Sequence, residues 1–355
     1  MSYAPKGKPA PVVGPGEFRF AAMRLEHGHI YGMCNGLTEA GAQLAAVHDA
    51  DPAKVSAFVK AFPGTRVARS EEEILDDPGI RLVAAAAIPC DRGPLGCAVM
   101  ERGKDYFTDK TPFTTLRHLE EARRTAARTG RKYLVYFSER LHVESAVAAG
   151  EIIAEGRIGR VIQVIGLGPH RLNASSRPAW FFRKSQYGGI LCDIGSHQIE
   201  QFLFYTGNED ATLLHAKAGN YGNPDHPELE DFGDASLLGA NGATGYFRVD
   251  WFTPSGLATW GDGRTFIIGT EGSLELRKYI NVGVSATPDH LFLVDGTGEH
   301  HLELAGTVGF PFFGRLVRDC IERTEQAMSQ AHAFKAAELC LRAQADAAQV
   351  GPVGS

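Results

Sequence analysis

The stretch FRFAAMRLEHGHIYGMCNGL, residues 18–37, sets the fold class. FRFAAM (18–23) has the apolar density of a buried strand. Ile30, Met33, Cys34 and Leu37 then recur at i, i+3, i+4 and i+7, one face of a helix, and Gly41 stops it. The alternation continues. LAAVHD (44–49) reads as a second strand, and Asp51-Pro52 is an N-cap followed by an N1 proline. Ser70-Glu71-Glu72-Glu73 forms a capping box before Ile74-Leu75. RLVAAAAI (81–88) is apolar on both faces, as strands of parallel sheets are. A helix around Leu95–Arg102, the strand DYFT (105–108) and a helix over 116–126 follow. Repeated βα units predict a parallel sheet with helices on both faces.

Beyond residue 131 the pattern changes. KYLVYF (132–137), VIQVIGL (161–167), ATGYFRVDW (243–251), RTFIIG (264–269), SLELRKY (273–279), LFLV (291–294) and HHLEL (300–304) are strand-like runs. Gly, Asn, Asp and Pro clusters join them, as in antiparallel sheets. Helices are expected near 143–156, 196–206, 311–327 and 330–349. This predicts an α+β domain on one large antiparallel sheet. The acidic stretch from Asp225 to Asp234 reads as surface.

In an open parallel sheet, ligands sit beyond the carboxyl ends of the strands. That selects the segments after Met23, Val47, Ile88 and Phe107. After the first strand come Arg24, Leu25, Glu26, His27, Gly28 and His29. A dinucleotide-binding turn has GxGxxG here, so that backbone N–H groups approach the pyrophosphate. Arg24, Glu26 and His29 stand where those glycines would, and Glu26 would repel a diphosphate unless it turns away. Asp49 ends the second strand about 20 residues on, where an acid bonds the adenosine ribose of NAD. No Arg or Lys follows it to receive a 2′-phosphate. Pro89 follows Ile88, and Asp109-Lys110 follows the DYFT strand, where a lysine suits proton transfer or a phosphate contact. A solvated surface lysine is the plainer reading of that position.

GGILCDIGSHQIE (188–200) opens another helix. Asp193 and His197 are four apart and can share a face. A carboxylate beside an imidazole orients the ring and raises its basicity, as a general base requires. A buried His bonded to an Asp for structural reasons fits the same spacing. A metal would need a third ligand, which the spacing does not supply, so no metal is expected. Just upstream lie Arg171, Arg177, Trp180 and Arg183. Trp offers a flat apolar face to a sugar ring, and Arg offers a fork for hydroxyls or a carboxylate. A solvated basic loop is the alternative.

With these motifs in order, the chain from about 18 to 350 resembles the Gfo/Idh/MocA oxidoreductases. Gly103-Lys104 and Asp109-Lys110 fall at the family's GK and EKP motifs. GGILCDIGSH with Glu200 resembles its GGGxLxDxGxHxxD block, and Ile268–Ser273 its GTEGS turn. Ser138-Glu139-Arg140, with EGRIGRVIQV (155–164), resembles the opening of its second domain. Asp109 replaces Glu, Thr111 intervenes before Pro112, and Ile190 replaces the third glycine. The resemblance implies an arm (1–17), a dinucleotide-binding Rossmann domain (18–131) and an α+β domain (132–355) for substrate binding and oligomerisation. It implies an NAD(P)-dependent dehydrogenase of a sugar, polyol or related secondary alcohol, with NAD expected over NADP. Lys110, Asp193 and His197 would be catalytic. Arg24, Leu25, His27, Gly28, His29, Asp49, Pro89, Asp109 and Lys110 would hold the cofactor. Arg140, Arg171, Arg177, Trp180 and Arg183 would face the substrate. The alternatives are an NAD-dependent glycoside hydrolase or lyase with a transient redox cycle, and a non-catalytic ligand-binding relative.

Composition narrows the partners. The 355 residues are 44% hydrophobic and 22% charged, with net charge −6. That balance gives no electrostatic reason to expect nucleic acid or an anionic membrane. No apolar run approaches the ~18 residues of a membrane span, and the Pro/Gly-rich N-terminus lacks a secretory apolar core. Six cysteines without CxxC spacing read as reduced thiols. A cytoplasmic protein, homodimeric or homotetrameric through its sheet as the family implies, is the expectation.

Overall fold

The structure, a computed structural model, describes residues 11–352. They form two compact units. One runs to Tyr136 and regains Gly309–Phe334; the other holds Phe137–Val308 and the segment from Lys335.

The first unit contains β1 (Arg19–Met23), α1 (His29–Glu39), β2 (Gln43–His48), α2 (Pro52–Ala61), β3 (Arg66–Val67), α3 (Glu71–Leu75), β4 (Leu82–Ala85), α4 (Pro89–Glu101), β5 (Asp105–Asp109), α5 (Leu116–Thr129) and β6 (Tyr133–Tyr136). The strand order is β3-β2-β1-β4-β5-β6, every pair parallel. The order reverses between β1 and β4, which places the ligand crevice there. The expected caps form. Asp51 accepts the Ala53 N–H at 2.8 Å, and Ser70 accepts that of Glu73 at 3.3 Å. Helix α4 starts earlier than its apolar spacing suggests, because Pro89 is tolerated in a first turn. The run 132–137, expected in the antiparallel sheet, supplies β6 beside β5 instead. Its residues are buried throughout, which also suits an edge position covered by helices.

The second unit holds α6 (Ser138–Leu141), α7 (Glu144–Ala154), β7 (Val161–Pro169), α8 (Lys184–Tyr187), α9 (Ile190–Asp193), α10 (Gly195–Thr206), β8 (Ala211–Gly219), β9 (Phe232–Gly239), β10 (Thr244–Asp250), β11 (Arg264–Gly269), β12 (Ser273–Arg277), β13 (His290–Asp295) and β14 (Gly298–Glu303). Helix α11 (Pro311–Glu322) returns to the first unit. There the Phe313 ring would lie 2.4 Å from a Cβ at position 36, so Gly36 lets α11 seat against α1. Helix α12 (Gln330–Asp346) and β15 (Ala348–Val350) close the chain.

The second sheet runs β14-β13-β12-β11-β7-β10-β9-β8-β15. It is mixed rather than wholly antiparallel: β7 pairs with β10, and β8 with β15, in parallel. The β7-to-β10 connection carries α10, β8 and β9, long enough for a parallel return. Strands β8 and β9 were not legible as strands. The acidic stretch is not plain surface either, since Glu230 and Asp231 are buried. Asp231 accepts the N–H groups of Tyr221 (2.7 Å) and Gly222 (2.8 Å). Leu238, Ile268 and Val294 are exposed on one face of the sheet, in rows linked through Thr244, Gln163 and Ser273. Among the described residues no helix is long and apolar enough to cross a membrane.

Candidate active site

The first-unit site forms where β1, β2 and β5 end. Arg24 has φ +50°, the left-handed conformation that glycine usually supplies at this turn. For a side chain this costs about 1–2 kcal/mol. The turn is pinned from both sides: Arg24 N–H donates to the His48 carbonyl, and the Arg24 carbonyl accepts from Ala86 N–H, each at 3.2 Å. The Arg24 side chain pairs with Glu71 at 2.6 Å. Glu26 turns toward α2 and pairs with Lys54 at 2.6 Å, which removes the repulsion expected of it. Asp49 accepts the N–H of Leu25 at 2.6 Å and that of Asp51 at 2.8 Å. Each of its oxygens keeps a second lone pair for a ribose hydroxyl.

The two histidines explain how a glycine-poor turn is held. His27 Nδ1 lies 3.0 Å and His29 Nδ1 2.8 Å from the two oxygens of Asp109. Asp109 is fully buried, and Arg92, itself 1% exposed, donates to it at 3.2 Å. Burial would raise the Asp109 carboxyl, but the charges of His29, Arg92 and His27 outweigh it and hold it well below the usual range. Arg92 also donates to the carbonyls of Ala87 (2.7 Å), Lys110 and Thr111 (3.2 Å), fixing the backbone that carries Lys110. Lys110 is 6% exposed, so the surface-lysine reading does not describe it. The ligand atoms of His27, His29 and Asp109 lie within 4.8 Å of one another, close enough for a metal. Arg92 on the same carboxylate and the charge of Lys110 felt at His27 oppose a cation there.

This cluster has a pH consequence. Burial, helped by the charge of His29, lowers His27 from 6.5 to about 4. The unfolded chain therefore binds this proton more tightly than the folded one. Stability is full above pH 6.5 and falls as pH drops through 4, and the depressed Asp109 carboxyl acts in the same direction at lower pH. The His27 contribution reaches at most about 3 kcal/mol, because the ring keeps some solvent contact. Urea unfolding between pH 7 and 4.5 should show the loss, with a shallower slope in His27→Asn. An equal slope in both proteins detaches His27 from the acid response.

The second-unit site surrounds Gly188 and Gly189, whose φ values are +91° and +92°. A Cβ on Gly189 would lie 2.2 Å from Gln344, so this glycine admits α12. Gln344 accepts the Leu191 N–H at 3.0 Å and donates to Glu230 at 3.0 Å. Asp193 ends α9 and His197 lies in the first turn of α10, 2% exposed. The candidate substrate residues are placed differently from one another. Arg140 is buried against Glu200, its Nε 2.7 Å from one oxygen and 2.9 Å from the other. Arg171 donates to the carbonyls of Pro254 (2.9 Å) and Leu257. Arg177 donates to that of Leu172 at 2.8 Å and lies over the Phe181 ring at 4.5 Å. Trp180 is buried, whereas Arg183 is exposed. Sequence reasoning missed Arg92 and Lys278. Lys278 carried a signal: it continues the inward alternation of Leu274 and Leu276, so it is a charge in register with a buried face.

A parallel sheet of this order, with an acid ending β2 and a buried Asp-Lys ending β5, defines a dinucleotide-binding fold. The comparisons agree. Residues 12–137 match the family model described as an oxidoreductase family with NAD-binding Rossmann fold, and residues 146–275 match the GFO/IDH/MocA C-terminal domain. The chain belongs to the Gfo/Idh/MocA oxidoreductase family. A crystal structure of a candidate oxidoreductase from Erwinia carotovora atroseptica SCRI1043 is 53% identical, with TM-score 0.91, covering 94% of this chain and 100% of that one. The NAD(+) scyllo-inositol 2-dehydrogenase of Bacillus subtilis strain 168 is 27% identical over 240 residues, 66% of each chain. The NADP(+) scyllo-inositol 2-dehydrogenase of the same strain is 26% identical over 157 residues, 44% of this chain and 43% of that one.

Proposed function

We propose that the protein is an NAD-dependent dehydrogenase of a sugar or polyol. The observation that carries this is Lys110, buried at the carboxyl end of β5 on a backbone fixed by Arg92. The residues at the ends of β1, β2 and β5 fit the cofactor: the turn is preformed, Glu26 is neutralised, and Asp49 keeps acceptor capacity. A bound nicotinamide would supply the acceptor for the hydride leaving the carbinol carbon of the substrate. The Lys110 ammonium stabilises the alkoxide that develops on the substrate oxygen. His197 takes the hydroxyl proton, and Asp193 orients its ring. Absorbance of reduced nicotinamide with a panel of sugars and polyols tests the reading. No reduction with any of them, or substrate turnover without it, overturns the reading.

Asp49, with Ala50 and Asp51 after it, supports NAD over NADP, since a second acidic group repels a 2′-phosphate. Calorimetric titration should show tighter binding of NAD, and tighter NADP binding reverses the assignment. The exposed face bearing Leu238, Ile268 and Val294 supports a homodimer formed through the second sheet. Sedimentation should give a dimer or larger, and Ile268→Lys should shift it toward monomer. A monomeric wild-type protein removes this proposal.

A further inference from the structure

Strands β13 and β14 bring together three metal-ligating side chains, none of which has a role in the proposed chemistry. His290 and Glu303 are direct partners in the antiparallel pair, and His301 stands opposite Phe292, two residues along. Alternation puts all of them on one face, the one that carries Val294. His290 Nδ1 lies 2.9 Å from His301 Nε2 and 3.8 Å from Glu303 Oε1, and the three donor atoms lie within 4.8 Å of one another. Spacing along the chain gave no reason to expect a metal; the pairing of two strands assembles this set.

The two rings are held as a metal requires. His290 is fully buried, and its Nε2 lies 3.1 Å from the Thr287 carbonyl. A carbonyl only accepts, so Nε2 carries the proton, and in the neutral ring Nδ1 turns a lone pair toward His301 and Glu303. A backbone carbonyl on the far nitrogen is how ligand histidines are commonly oriented. The His301 ring lies flat on Phe292, with centroids 4.3 Å apart and planes 7° from parallel. Without an ion, His301 Nε2–H donates to His290 Nδ1. A metal takes the place of that proton, which His301 then carries on its other nitrogen.

Ligand atoms 2.0–2.1 Å from a tetrahedral centre are about 3.3 Å from one another. The observed 2.9 and 3.8 Å straddle that spacing. The remaining edge closes by rotation of Glu303, whose side chain is 67% exposed. The charge balance also admits a cation. Arg277 on β12, across β13 from β14, pairs with Glu275 at 2.7 Å and lies over the Phe292 ring at 5.3 Å. The Asp109 cluster differs, because there Arg92 bonds the carboxylate itself. Two imidazoles and one carboxylate favour zinc and its neighbours over magnesium or calcium, which take oxygen ligands. We propose that His290, His301 and Glu303 bind one divalent transition-metal ion of the zinc type, with water in the fourth position, and so clip the edge strand β14 to β13. This site is independent of the dehydrogenase reading.

The test is calorimetric titration of Zn²⁺ into the full chain after chelator treatment, with Mg²⁺ beside it. Wild type should take up one Zn²⁺ per chain and bind Mg²⁺ far more weakly. His301→Ala and Glu303→Gln alter exposed side chains, so the fold stays, and each should weaken Zn²⁺ about 10-fold or more. Hydrogen exchange in wild type should slow on zinc addition over residues 287–303. No zinc uptake overturns the site, as does unchanged zinc affinity in either variant or equal affinity for Mg²⁺. Protection that falls on residues 24–29 and 105–111 instead puts the ion on the Asp109 cluster and overturns the site likewise.

Discussion

Alanine at Lys110 or at His197 is expected to lower kcat by about 10²–10⁴ while the protein stays folded and binds NAD. For Lys110 the separation between chemistry and structure is unusually clean. Arg92 holds the Lys110 carbonyl, and truncating the side chain leaves that backbone contact intact. The cluster of His27 and His29 on the buried Asp109 that holds the preceding turn also stays in place. What disappears is an ammonium in a water-poor position, where its field on a developing alkoxide is strongest. Arginine should not rescue it, because the guanidinium is broader and stays protonated. His197, on α10, takes the hydroxyl proton instead, so its loss should fall on kcat. Steady-state kinetics on the best polyol decides both. Turnover unchanged in either variant removes that residue from the reaction.

Much of this was legible in the chain because the signals were local. Strand β1 and helix α1 follow from an apolar run and a period of 3.6, and the Asp51 and Ser70 caps act within three residues. The misreadings were of another kind. Strands β6 and β7 both read as strand-like runs, and only pairing decides that one joins β5 in parallel while the other centres the second sheet. Strand β8 has no clean alternation, with Leu213, Leu214 and His215 in sequence across a bulge. The site shows the same division. His29 was visible as a residue standing where a glycine would, and His27 as its neighbour in the same turn. Their reason, a shared carboxylate at position 109, lies at a sequence separation of 80 for His29 and could come only from the fold. Arg92 gave no signal at all, because a helix position next to Gly and Pro does not advertise a buried guanidinium.

The second large effect concerns Arg140 and Glu200, and it is one of stability. Glu200 is fully buried, and Arg140 grips its carboxylate while its guanidinium lies 3.8 Å over the Phe204 ring. Glu200→Ala would leave that guanidinium buried and unpaired, at a cost of roughly 3–5 kcal/mol. Replacing both residues by apolar ones of similar volume, Arg140→Met with Glu200→Leu, should be close to neutral, because the desolvation cost of both ions disappears with their attraction. Denaturant unfolding of the two variants beside wild type measures this. The double variant also separates scaffolding from recognition. If Arg140 reads the substrate, the stable double variant will show a raised KM; if it only braces α6 against α10, KM will match wild type while the single Glu200→Ala protein unfolds early. Wild-type stability in Glu200→Ala contradicts the scaffold role. The geometry favours bracing, since Arg140 meets the carboxylate through two nitrogens and presents its face to Phe204.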